Sequence, residues 1–137
     1  AVHIKGIQSM PRNSFFPNLD NKPSGFSPAT RVGNIVYSSG QVAADADGNV
    51  VGEGDAGAQS EQVFKNIEAA LNAAGASMSD VTKITAFLLN NDDYPAYAEA
   101  RAKAFNAPGP ASSTVFVSSL VSPAFLVEVE ATAVVSG

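Results

Sequence analysis

Between Phe125 and Ala133 the chain alternates without a break: Phe125, Val127, Val129, Ala131 and Ala133 fall on one side, Leu126, Glu128, Glu130 and Thr132 on the other. Only a β-strand has a side-chain period of two, so this segment belongs in a sheet with one covered face and one less apolar face that carries Glu128 and Glu130. The rest of the chain must supply that sheet and its cover.

Thr30-Arg31-Val32 and Ile35 to Ser39 are β-type runs joined by Gly33-Asn34, a pair suited to the positive φ angles of a tight hairpin. A further short strand is expected at Gln41-Val42, returning at Val50-Val51 after a turn over Asp45 to Asn49. From Ala58 to Ala74, the residues Val63, Ile67, Leu71 and Ala74 form one stripe of a helix that Gly75 ends. Val81 to Leu89 reads as a central strand. A second helix begins near Asp92-Asp93-Tyr94-Pro95, runs to about Phe105, and puts Tyr94, Tyr97, Arg101 and Phe105 on roughly one side. After the proline-rich loop Asn106 to Pro110, strand character resumes at Ser113 to Val117. Strands interleaved with only two amphipathic helices predict an α+β domain of split-βαβ or ferredoxin-like plan, its helices on one sheet face. The uncovered face predicts self-association.

At 137 residues and 45% hydrophobic, the chain is one domain, 1–137, in which residues 1–25, rich in Pro, Asn, Ser and Phe, read as an irregular arm. Without cysteine there is no disulfide framework, thiolate metal site or cysteine nucleophile. His3 is the single imidazole, which removes a Ser-His-Asp triad and a histidine metal cluster. Eight scattered basic residues against thirteen acidic ones, net −5, make nucleic acid a poor partner. No apolar run reaches bilayer length, and Ala1 to Asp20 has no signal-peptide pattern, so no membrane partner and a cytoplasmic location are expected.

Gly52-Glu53-Gly54-Asp55-Ala56-Gly57 matches the G-x-G-x-x-G pattern, but Glu53 and Asp55 would set carboxylates beside a pyrophosphate and too little chain follows for a doubly wound sheet. It reads instead as a turn into the first helix, with Asp55 near the cap. Asp45, Asp47, Asn49 and Glu53 resemble a calcium loop in composition, yet Gly48 comes too early for the register, leaving a hairpin turn. What survives is chemistry that needs a carboxylate, hydroxyls and backbone amides, and Glu128 and Glu130 are its obvious carboxylates.

Four segments in order resemble one family: Arg31 to Gln41 (RVGNIVYSSGQ), the helix from Gln59 to Gly75, Val81 to Leu88 (VTKITAFL) and Val127 to Ala131 (VEVEA). They are similar to the Rid (reactive intermediate deaminase, YjgF-type) proteins, over about Phe26 to Val134. The resemblance implies a chorismate-mutase-like protomer, a homotrimer with small-molecule clefts between subunits, and hydrolysis of enamines and imines to a carbonyl compound and ammonia without cofactor or metal. It assigns the catalytic role to Glu128 and substrate contacts to Phe26, Ser39, Gly40, Ser112 and Thr114. Where the family usually reads Pro-Ala-Arg, this chain has Pro110-Ala111-Ser112, so the guanidinium that clamps a substrate carboxylate is missing from that position. Phe26 stands for a frequent tyrosine and Ala98 for a frequent asparagine. The departures imply altered specificity and poor activity on 2-imino acids, with Arg31 and Arg101 as candidate substitutes for the charge. A non-catalytic ligand-binding trimer is the alternative, and a ribonuclease or translation inhibitor the weakest reading.

Overall fold

The computed structural model describes residues 11–136, so His3 lies outside the described residues. The chain order is β1 (Asn13–Phe15), β2 (Ala29–Val32), β3 (Ile35–Ser38), α1 (Ala56–Ala73), β4 (Val81–Leu88), α2 (Tyr94–Ala104), β5 (Ala111–Phe116) and β6 (Val127–Val134). They form one six-stranded sheet in the order β1-β2-β3-β6-β4-β5, antiparallel except for β4 and β5. The parallel pair needs a crossover, and α2 provides it.

The expected α+β plan with two helices is present, and strand β6 occupies an interior position, as its alternation requires. Val127, Val129, Ala131 and Ala133 are buried with Ile67, Leu71, Ile84 and Leu88 in one core beneath the helices. Helix α1 starts at Asp55, whose carboxylate accepts the Ala58 N–H, so the glycine-rich hexapeptide is a cap and not a nucleotide loop. At the other end of α1, the Arg31 guanidinium donates to the Ala74 carbonyl at 2.9 Å, satisfying a terminal carbonyl.

Three local expectations change. In the Gly33-Asn34 turn only Gly33 takes a positive φ, +58°, as a hairpin turn with glycine in its first central position requires. The segment around Gln41 and Val50 makes isolated bridges, Gln41 to Val129 and Ala44 to Val50, rather than strands, while Asp45 Oδ1 accepts the Asp47 and Asn49 N–H groups and closes the turn itself. Within the arm expected to be irregular, Asn13–Phe15 pairs with β2 as an edge strand, and Phe15 packs against the core.

Gln59 is the largest polar side chain in the core. It is fully buried, donates to the Gly52 and Ala124 carbonyls and accepts the Leu126 N–H, tying the loops before α1 and β6 together. Gln59→Leu leaves these three backbone groups without their partner and is expected to lower stability by about 2–4 kcal/mol, read as a reduced urea midpoint at unchanged m.

Candidate functional site

The strand registers decide which candidate residues share a face. Phe87 and Thr85 on β4 pair with Glu128 and Glu130 on β6, and these alternate with the buried Ala86 and Val129. Both carboxylates therefore face the side of the sheet away from the helices, as the alternation predicts. On β5 the parallel register pairs Ser112 with Ile84 and Thr114 with Ala86. Ser112 and Thr114 consequently face the helix side. Within one protomer, the sheet separates Glu128 from Ser112 and Thr114.

On its side, Glu128 is half-buried and Glu130 exposed. Burial raises the Glu128 pKa above the ordinary carboxylate value, and the neighbouring Glu130 charge adds to the rise. Among the described residues no cation lies in ion-pair range of it. Gly40 makes room for this group: a Cβ there would meet Glu128 Oε2 and push the carboxylate from its present position, whereas its φ is not among the positive values and sets no demand for glycine. The approach is fixed by the bridge in which the Gln41 N–H donates to Val129 O at 2.8 Å and the Val129 N–H donates back to Gln41 O. Ser39 is anchored by its hydroxyl, which donates to the Ser27 carbonyl, and its N–H donates to Pro28 O. Phe26 and Ser39 border a concavity of about 530 Å³ with Arg12, Thr30 and Tyr37. Phe26 is 58% exposed, an apolar ring with little in its own protomer to cover it.

The helix side holds a second concavity, an open groove of about 950 Å³ between α2 and the edge strand β5, bordered by Tyr94, Arg101, Phe105, Ser112, Thr114 and Phe116. Arg101 reaches across it. Its Nη2 donates to the Tyr94 hydroxyl at 3.2 Å, its Nη1 lies 3.5 Å from Ser112 Oγ, and its guanidinium sits 5.7 Å and 5.3 Å from the ring centroids of Tyr94 and Tyr97. The Tyr97 ring is fully buried and stacks on Phe64. Burial raises the Tyr97 pKa, opposed by the Arg101 charge.

Of the residues to which the resemblance gives roles, Glu128 faces away from the helices with Gly40 against it, Phe26 and Ser39 border one concavity, and Ser112 and Thr114 border the other. Sequence reasoning left open which arginine reaches Ser112. Arg31 does not, because it caps α1, whereas Arg101 does. Tyr94 escaped notice as a site residue, although its seven-residue spacing from Arg101 on α2 was the available signal.

The open sheet face also carries Val32, Ile35, Tyr37, Val115 and Val134, all at least one-third exposed. Val32, Ile35 and Val134 are neighbours across β2, β3 and β6, and an apolar patch of this kind on a sheet is characteristic of a surface covered by another chain.

Comparison with known proteins agrees with the fold. A family profile described as Endoribonuclease L-PSP matches residues 20–135. A 2-iminobutanoate/2-iminopropanoate deaminase of Dermatophagoides farinae is 37% identical over 126 residues, 91% of this chain and 98% of that protein. The 3-aminoacrylate deaminase RutC of Acinetobacter baylyi is 39% identical over 125 residues, 90% of this chain and 98% of its own. Among solved structures, YyfA of Yersinia pestis, described as a conserved Rid-family protein of unknown function, superposes with a TM-score of 0.83 at 33% identity, covering 91% of this chain and all of that one.

Proposed function

Because the chain belongs to the Endoribonuclease L-PSP family, the Rid or YjgF-type proteins, we propose that it hydrolyses the C=N bond of small imines, and of enamines after their tautomerisation, in clefts between the subunits of a homotrimer. The observation that carries this reading is the half-buried Glu128 carboxylate, unpaired with any described cation and set against the Gly40 backbone. A carboxylate whose pKa burial has raised is a stronger base than an exposed one and is suited to taking a proton from water.

In the proposed step Glu128 accepts a proton from water as the water oxygen bonds to the imine carbon. The carbon–nitrogen double bond becomes single and a carbinolamine forms. Glu128 returns that proton to nitrogen, then takes the carbinolamine hydroxyl proton and passes it to nitrogen as well; the carbon–oxygen bond becomes double as the carbon–nitrogen bond breaks, and ammonia leaves behind a carbonyl compound. One imine and one water give one carbonyl and one ammonia, with no redox change and no cofactor.

The division of the candidate residues between two sheet faces supports an intersubunit cleft, with Glu128, Ser39, Gly40 and Phe26 from one protomer and the groove at Ser112 and Thr114 from the next. The exposed apolar stretch from Val32 to Val134 supports the assembly that such clefts need. Substrate specificity departs from relatives with arginine in place of Ser112, since a hydroxyl carries no charge, and weaker activity on 2-imino acids than such relatives show follows from it. RNA cleavage, which the family's description names, is disfavoured by the net charge of −5 and by Lys103 being engaged with Glu61 and Glu99.

The test is ammonia release from freshly generated imines by the purified protein. Release at a rate proportional to protein concentration is the expected outcome. Tight binding of a carbonyl or amine analogue without any release would replace the hydrolase by a ligand-binding trimer.

A further inference from the structure

Among the described residues, the Arg101 guanidinium has no acid partner. The ion pairs among the described residues involve Lys103 alone, so the Arg101 charge is balanced by no carboxylate. Of the five N–H donors of a guanidinium, the described partners are neutral hydroxyls, the Tyr94 phenol at 3.2 Å and Ser112 Oγ at a long 3.5 Å. The remaining donors belong to a group that borders the α2–β5 groove of about 950 Å³. Both tyrosine rings lie within cation–π range of the group, and Tyr94 holds it by a hydrogen bond. A cation oriented by aromatic rings and a hydroxyl, with spare donors directed by a rigid helix, is preorganised to receive an anion.

Ser112 explains how the guanidinium comes so close to β5. Its side chain is short and faces the same groove, so the space above it is open to a side chain that arrives from α2. An arginine at residue 112 would project into that space and meet Arg101, two like charges in one groove with no acid between them. The two arrangements exclude each other.

We infer that Arg101, held by Tyr94 over Ser112, is the anion-binding residue of the α2–β5 groove, and that the groove receives the carboxylate of a small carboxylate-bearing imine or enamine. The inference rests on the hydrolase reading for the identity of the anion, but the binding of a carboxylate is separable from turnover. The guanidinium is already hydrogen-bonded to hydroxyls on two of its donors, so it is a weaker clamp than an unencumbered arginine. This agrees with reduced activity on 2-imino acids.

Two measurements test it. The first is calorimetric binding of 2-oxobutanoate, the stable carbonyl counterpart of a 2-imino acid, against neutral butanone. The second is ammonia release from 2-iminobutanoate, from 3-aminoacrylate and from an imine without a carboxylate. Arg101→Met is expected to weaken 2-oxobutanoate binding and to raise KM for carboxylate-bearing substrates by about 10- to 100-fold relative to the KM for the neutral imine. Arg101→Lys should fall between, as charge without the fork, and Tyr94→Phe should give a smaller loss in the same direction. Adding Ser112→Arg to Arg101→Met should restore carboxylate binding, which no unfolded variant would do. The relative rates on 2-iminobutanoate and 3-aminoacrylate distinguish an α- from a β-carboxylate.

Wild-type protein that ignores 2-oxobutanoate, or an Arg101→Met protein with normal melting and an unchanged ratio of carboxylate to neutral substrates, overturns the inference. Arg101-dependent binding of 2-oxobutanoate without ammonia release leaves it standing and removes the hydrolase reading. Ammonia release from carboxylate-bearing substrates that does not depend on Arg101 does the reverse.

Discussion

Glu128→Gln is expected to lower kcat for ammonia release by about 100- to 10,000-fold, the range that a positioned general base contributes. The amide keeps the shape of the side chain and its fit against Gly40, but it cannot accept the water proton. The wild-type rate should fall on the acid side through an ionisation lying above the ordinary glutamate value, because burial, then the Glu130 charge, raises Glu128. Glu130→Gln should move that acid limb towards lower pH without removing it.

Loss of fold is not a rival explanation for a dead Glu128→Gln. Where the folded-state pKa of a carboxyl is raised above its unfolded value, the fold is favoured below the unfolded value, and that advantage is lost as pH rises through the folded one. At neutral pH the ionised Glu128 is therefore a cost to the fold that glutamine does not carry. The variant should be at least as stable as wild type at pH 7, and the comparison should turn against it as both are acidified. A full-rate Glu128→Gln would move the chemistry to another group and end the mechanism proposed above.

The residues of this site were legible in unequal degree, for reasons that lie in the folding itself. Glu128 could be placed on the less apolar face of its strand because period two is a local property, and the Gly33-Asn34 hairpin is equally local. Asp55 announced itself as a cap by the helix behind it. The side taken by Ser112 is different in kind. It depends on the parallel register between β4 and β5, set by how α2 crosses over, and the string Ala111 to Phe116 has no alternation that reveals it. The same holds for Arg101. Its helical spacing from Tyr94 was visible, but its meeting with a hydroxyl eleven residues away required α2 to lie along the edge strand. β1 gave no signal at all, because three residues are too few for periodicity and its pairing is decided by β2.

The separation of Glu128 from the Ser112 groove leads to the second large effect. If every cleft takes Glu128 from one protomer and the groove from the next, two inactive variants must complement. Thr114→Trp fills the groove with an indole and leaves the other face of the sheet alone; Glu128→Gln does the opposite. Each expressed alone should be inactive or nearly so. In a mixed trimer a cleft works only when its Glu128 comes from a Thr114→Trp chain and its groove from a Glu128→Gln chain, which happens once in every mixed three-fold ring, so about one third of wild-type activity per trimer should return. Co-expression under two affinity tags, with purification through both, isolates the mixed trimers for the assay. Were the two surfaces to serve one cleft within a single chain, or were the chain to act as a monomer, no mixed arrangement would contain an intact site and the activity would stay at the level of the separate variants. Recovery therefore reports both the assembly and the crossing of residues between subunits, and it does so without depending on which residue binds the substrate's anion.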